Sequence, residues 1–149
     1  MGPMFTFDEI RRWPKGALAQ LEALEILCEG KAATSIECES CPENHLLDVD
    51  MHETPRGIVA IAKCPECGRG QVPLDRLRLW EFRFDGLAGA VARAAGARGE
   101  TVIDVPGRLA SLGWVAAGDT TRDLFLARGL RQADGAQVLN RSDRLCASP

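Results

Sequence analysis

Apolar and polar positions along this chain change rhythm several times, and each change marks an element. At the front, Thr6-Phe7-Asp8-Glu9 has the form of a capping box, with Phe5 and Ile10 placed as a hydrophobic staple. This opens a short helix that Pro14 interrupts or ends. A second helix is predicted from about Lys15 to Glu29. Leu18, Leu21, Leu24 and Leu27 recur every three residues, Ala17 and Cys28 widen the apolar face, and Gly30 stops it. Ala33 to Glu37 reads as extended. Two apolar runs, Leu46-Leu47-Asp48-Val49 and Gly57 to Ala62, flank the turn signal Glu53-Thr54-Pro55-Arg56-Gly57 and predict a hairpin.

Pro73 is placed to begin a helix through Trp80, with Leu74, Leu77 and Trp80 as its buried edge and an extended link to Phe84. Alternation in Leu77-Arg78-Leu79 and Phe82-Arg83-Phe84 also admits a strand there. Asp85 is positioned as the N-cap of a helix to about Ala95, with Leu87, Val91 and Ala94 inward. Thr101 to Val105 is strand-like. Arg108–Val115 and Asp123–Ala127 form a second hairpin across Gly118-Asp119, and Asp134 caps a last helix from Gly135 to Leu139. Arg141 to Pro149 is polar and expected to fray. The pattern as a whole is α+β, in three parts: an N-terminal helical segment (1–34), a cysteine-flanked hairpin (35–72) and a small α+β module with the second hairpin (73–149).

The chemistry sits at the ends of the first hairpin. Cys38-Glu39-Ser40-Cys41 is followed, after twenty-two residues, by Cys64-Pro65-Glu66-Cys67-Gly68. Each Cys-x-x-Cys turn aims two sulfurs at one point about 2.3 Å from a metal, and two such turns complete a tetrahedron. Pro65 presets its turn, and Gly68 can take the positive φ that leads the chain out. The spacing predicts one structural Zn2+ held by Cys38, Cys41, Cys64 and Cys67. The competing reading is a pair of redox dithiols, but such motifs usually come singly, at a helix start after a strand. His45 and His52 flank the hairpin and are not needed as ligands once four cysteines are present. Cys28 reads as a small buried hydrophobe, and Cys146 receives no role. The arrangement resembles the zinc-ribbon family over about thirty-five residues. Trp80 and the pattern Gly107-Arg108-Leu109…Leu112-Gly113 further resemble the front domain of uncharacterised bacterial zinc-ribbon proteins, a resemblance that implies no activity.

Composition narrows the function. The 149 residues are 46% hydrophobic and 26% charged, ordinary for a globular protein. There is no apolar run of membrane-spanning length and no secretory pattern at the front, so a reducing cytoplasm and no membrane partner are expected. Residues 1–68 carry a net −6 and residues 69–149 a net +3. A phosphate-binding loop, a Gly-x-Gly-x-x-Gly turn and a serine-histidine-acid set are all missing, and tyrosine does not occur, so neither an enzyme nor a small-molecule substrate is expected. Arg69, Arg76 and Arg83 recur at sevens, with Arg78 and Arg93 nearby and Trp80, Phe82 and Phe84 interleaved, a composition able to contact phosphate and stack on bases. The expected function is therefore a non-catalytic zinc-ribbon module associated with nucleic acid in a regulatory role. The alternative is a protein-interaction adaptor of a bacterial defence or mobile-element system.

Overall fold

Thr6 closes the capping box its sequence predicts: the Glu9 N–H donates to Thr6 Oγ1 (3.2 Å), and the Thr6 N–H donates to Glu9 Oε2 (2.8 Å). The computed structural model describes residues 2–147. In chain order its elements are β1 (Met4–Thr6), α1 (Phe7–Ile10), α2 (Ala17–Ala23), β2 (Leu27–Glu29), β3 (Ser35–Glu37), β4 (Leu46–Thr54), β5 (Gly57–Cys64) and β6 (Gly68–Val72). A 3-10 turn (Leu74–Leu77) precedes β7 (Leu79–Phe82), α3 (Phe84–Ala94), β8 (Val102–Val105), β9 (Leu109–Ala117), β10 (Thr120–Ala127), α4 (Gly135–Leu139) and α5 (Asp143–Ala147). Helices occur beside three small sheets, antiparallel in every pairing described, so the class is α+β, as the sequence predicts. No helix among the described residues is long and apolar enough to cross a membrane.

The chain divides into two units. The first comprises residues 3–18 and 29–81, and the second residues 19–28 and residue 82 onward. The first unit is built on a four-stranded antiparallel sheet of order β3-β4-β5-β6. Residues paired across an antiparallel ladder project from one face. The pairs Ile36 with Leu47, Val49 with Ala62, and Ala60 with Val72 therefore form one apolar face, which is buried together with Leu77. Asp50 and Ile61, and Lys63 and Arg69, pair on the solvent face. In the same unit β1 pairs antiparallel with β7, and Phe5 lies across from Trp80, which is 1% exposed.

In the second unit α3 packs on the sheet β10-β9-β8. Phe84, Ala88 and Ala92 meet Ala110 and Leu112, while Val105, Leu109 and Val138 form a smaller cluster. Asp104 lies where the β8–β9 register shifts, and Ser111 Oγ donates to its carboxylate at 2.7 Å. Arg108 fastens the loop after β10. Its guanidinium donates to both oxygens of Asp134 (2.8 and 3.1 Å) and to the Gly129 and Arg128 carbonyls (3.0 and 3.3 Å).

Asp134 stands at the N-cap of α4, but its side chain makes no cap hydrogen bond and serves Arg108 instead. The guanidinium holds the Asp134 carboxyl below the usual carboxylate range. A depressed carboxylate stabilises the native state above its ordinary value near 4, and that contribution is lost as pH falls through the lowered one. Arg108→Ala is expected to weaken hydrogen-exchange protection of residues 128–135 at pH 7 while leaving β8 to β10 protected, and to matter less at pH 3.

Four sequence expectations change. The helix over Lys15–Glu29 ends at Ala23, and Leu27–Glu29 is a strand, so Cys28 is a half-buried strand residue. A strict three-residue repeat advances about 300° per step and swings the leucines around the helix instead of holding one stripe; Leu24 is accordingly 40% exposed. The helix closes with the two bonds of a Schellman motif, Ile26 N–H to Leu21 O and Glu25 N–H to Glu22 O, with Glu25 at φ 60 in the place usually taken by glycine. The helix over Pro73–Trp80 is a single 3-10 turn followed by strand β7, as the alternation had allowed. Helix α3 begins one residue before Asp85, which pairs with Arg83 from the first turn; Val91 packs inward as expected, but the buried residues are Phe84, Ala88 and Ala92, and Ala94 is exposed. At the far end Asp143–Ala147 is helical after a fully buried Ser142; the rest of that expectation, residues 148–149, lies outside the described residues.

Candidate metal centre

Both cysteine knuckles close at the same end of the four-stranded sheet. Cys38 and Cys41 lie in the β3–β4 connection, and Cys64 ends β5 with Cys67 immediately before β6. The first knuckle is fixed by its backbone. Cys38 N–H donates to the His45 carbonyl (2.9 Å), Asn44 N–H donates to the Cys41 carbonyl (3.3 Å), and Asn44 takes φ 47, a turn conformation asparagine tolerates. The second knuckle leaves through Gly68 at φ 82, the left-handed conformation for which glycine is suited.

The geometry that results fits a tetrahedral ion. All four sulfurs lie within 4.8 Å of one another. Cys38 Sγ is 3.9 Å from Cys67 Sγ, and Cys64 Sγ is 3.8 Å from Cys41 Sγ. A tetrahedron with bonds of about 2.3 Å to its centre has edges of about 3.8 Å, whereas a disulfide would bring two sulfurs to about 2.05 Å. All six cysteines are free thiols. Cys38, Cys41 and Cys64 are buried, and Cys67 is the exposed member. Four soft sulfur donors at this spacing suit zinc, and they fill a four-coordinate ion without leaving a position for water.

The surrounding dipoles favour charged sulfur at two of the four positions. The Ser40 N–H aimed at Cys38 outweighs burial and lowers that thiol to about 7, and the Cys67 and Glu66 N–H groups lower Cys64. At Cys41 the His45 N–H acts in the same direction, but burial and the neighbouring sulfurs outweigh it and raise the thiol. Cys67 packs its sulfur against the other three, and burial together with the neighbouring Cys38 and Cys64 sulfurs pushes it up to about 12.

His45, set aside by the sequence, lies against the cluster. Its Nδ1 is 3.2 Å from Cys41 Sγ and 3.8 Å from Cys64 Sγ, and its Nε2 is 3.2 Å from Glu43 Oε2. With Cys41 and Glu66 it forms a second group of close donor atoms. Its position four residues after Cys41, inside the knuckle, is the signal that marks it. His52 instead faces Val59 on the β4–β5 arm and joins no group of close donors among the described residues.

The five arginines singled out by the sequence do not share a helix. Arg69 is in β6, Arg76 in the 3-10 turn, Arg78 just before β7, Arg83 at the N-cap of α3 and Arg93 near its end. Three have acidic partners. Arg76 is largely buried and pairs with Asp8 (2.9 Å) and Glu39 (3.4 Å). Arg78 grips both oxygens of Glu29 (2.7 and 2.9 Å) and lies 4.7 Å above the Trp80 ring. Arg83 grips Asp85 (3.0 and 2.6 Å). Arg69 faces Lys63 across the ladder and, among the described residues, neither cation has an ion-pair partner. No protein-family model, curated protein or solved structure matches the chain.

Proposed function

We propose that this chain is a non-catalytic module whose ribbon is locked by one structural Zn2+ on Cys38, Cys41, Cys64 and Cys67, and which acts as an adaptor by binding another protein. The observation that carries the metal is the pair of sulfur separations, 3.8 and 3.9 Å, at the edge length of a zinc-thiolate tetrahedron. A filled coordination shell has no site for substrate or activated water, which supports a structural role.

The choice of a protein partner rests on charge and surface. Residues 3–18 and 29–81 carry nine basic and twelve acidic side chains, a poor match for phosphate. Met51 and Ile58 are 51% and 53% exposed. They project from the same face as buried Ala60, on a hairpin arm beyond the reach of β3. Exposed apolar side chains beside acids suit a protein surface better than a nucleic-acid backbone.

The nucleic-acid reading retains one specific support, the Lys63–Arg69 pair. Like charges facing across a ladder repel, and an anion between them would relieve this. Fluorescence anisotropy with mixed-sequence single- and double-stranded DNA and RNA, at about physiological salt and then across a salt series, decides between the two. The adaptor reading expects no binding tighter than about 10⁻⁵ M, within the range of non-specific association. Tighter binding that falls steeply with salt, and is lost in the Lys63→Ala/Arg69→Ala double variant, reverses the choice.

A further inference from the structure

We infer that His45 is a positioning residue of the metal centre: it donates its Nδ1–H to the Cys41 thiolate from outside the coordination shell. The inference rests on the metal-centre reading above and adds a fifth side chain to it. Cys41 and Cys64 form one edge of the sulfur tetrahedron, 3.8 Å long, and His45 Nδ1 sits against that edge at 3.2 Å from one sulfur and 3.8 Å from the other. A separation of 3.2 Å is a hydrogen bond to sulfur. The four thiolates already satisfy a tetrahedral ion, so the ring is left with the role of donor.

The ring is held at both ends. Its own N–H and C=O are fixed in the knuckle, because the His45 carbonyl accepts from the Cys38 N–H and the His45 N–H is aimed at Cys41 Sγ. On the far side, Glu43 Oε2 lies 3.2 Å from Nε2; a carboxylate only accepts, so a ring that donates Nδ1–H to the sulfur and Nε2–H to Glu43 carries both protons and acts as an imidazolium, its rotation set by the two acceptors. The ring is about 29% exposed, so it also screens one side of the Cys41–Cys64 edge from solvent.

Such a donor has a defined chemical effect. Four thiolates on one Zn2+ leave a net charge of about −2 on the cluster, and each N–H···S bond withdraws part of it. Outer-sphere partners of this kind typically change metal affinity by about ten- to a hundredfold. They also lower the nucleophilicity of the sulfur they touch, since electron density committed to a proton is unavailable to an electrophile.

Cobalt(II) in place of zinc reads the donor set directly through its thiolate-to-metal charge-transfer and d–d bands. Two variants separate the ring from its proton: His45→Phe keeps a flat ring without N–H, and His45→Asn keeps an amide N–H the same number of bonds from the backbone as Nδ1. In the full chain, His45→Phe is expected to retain a four-thiolate spectrum, with charge-transfer bands at lower energy and cobalt affinity about ten- to a hundredfold weaker. His45→Asn is expected to restore both, with circular dichroism of all loaded forms alike. Unchanged affinity and band energy in His45→Phe, or no recovery in His45→Asn, overturns the assignment. So does a wild-type spectrum with mixed nitrogen and sulfur donors that becomes four-thiolate in His45→Phe, because His45 would then be a ligand. If the unsubstituted chain takes up no cobalt at all, it is the metal reading itself that fails.

Discussion

Serine in place of Cys64 is expected to leave the chain without its metal and to unfold the unit formed by residues 3–18 and 29–81. Cys64 is buried, ends β5, and its sulfur lies 3.8 Å from that of Cys41. A hydroxyl there is a poor zinc ligand and would remain as an under-satisfied polar group among Leu47, Ala62 and the other sulfurs. Apparent zinc binding in comparable peptides is worth about 10–16 kcal/mol, and whole domains are stable by only about 5–15 kcal/mol. Losing the ion therefore removes more than the unit can spare.

Native mass spectrometry is expected to show one zinc per wild-type chain and none in Cys64→Ser. The amide spectrum of residues 35–72 should collapse in the variant, as it should in wild type under strong chelator. Cys28→Ser and Cys146→Ser serve as controls and should keep both metal and spectrum. A chelated wild type with an unchanged spectrum would sink the claim that the ion supports the fold.

Gly113→Ala is the second substitution expected to have a large effect, this time in the other unit. Gly113 sits inside β9 at φ 94, and a β-carbon there would run into the backbone carbonyl of Arg98. That carbonyl cannot retreat, because it accepts the Trp114 N–H while the Arg98 N–H donates to the Trp114 carbonyl, each at 2.8 Å. Strain at a forbidden dihedral and a clash against bonded backbone add, and a loss of at least about 3 kcal/mol follows. For a chain of this size that lowers Tm by roughly 10 °C. Gly118, at φ 63 in the β9–β10 turn with open space around it, is the comparison: alanine there should cost only about 1–2 kcal/mol. Equal melting shifts for the two variants would mean that the Arg98 contact carries nothing.

What the sequence made readable, and what it hid, divides along the range of the forces involved. The cysteine knuckles and both long hairpins are announced by local chemistry: ligand spacing, Pro65 and Gly68, and the turn around Pro55-Arg56-Gly57. The end of α2 was hidden because Glu25, and not a glycine, takes the left-handed position that stops it. Strand β7 was ambiguous because a run of only four residues, Leu79-Trp80-Glu81-Phe82, becomes a strand only through a partner, and Met4–Thr6 lies far away in sequence.

The arginine series misled for a related reason. Sevenfold spacing has meaning only on a continuous helix, and the acids that engage Arg76 and Arg78 come from residues 8, 39 and 29. His45 had a local signal, its place within the knuckle, but nothing in the residues alone shows which ring nitrogen would meet which sulfur.

The interleaved connectivity of the two units sets an order of events at the ribosome. Residues 19–28 are synthesised between the two segments of the first unit, yet their own unit begins again only at residue 82, about fifty residues later. At typical elongation rates of about 5–20 residues per second, that is a wait of several seconds. The cysteine ribbon has all four sulfurs once Cys67 has emerged, so it can capture its ion and close while α2 is still without the strands that complete its unit. Elongation past residue 82, and not ion capture, then governs how long Leu27, buried in the finished protein, stays open to aggregation or to proteases.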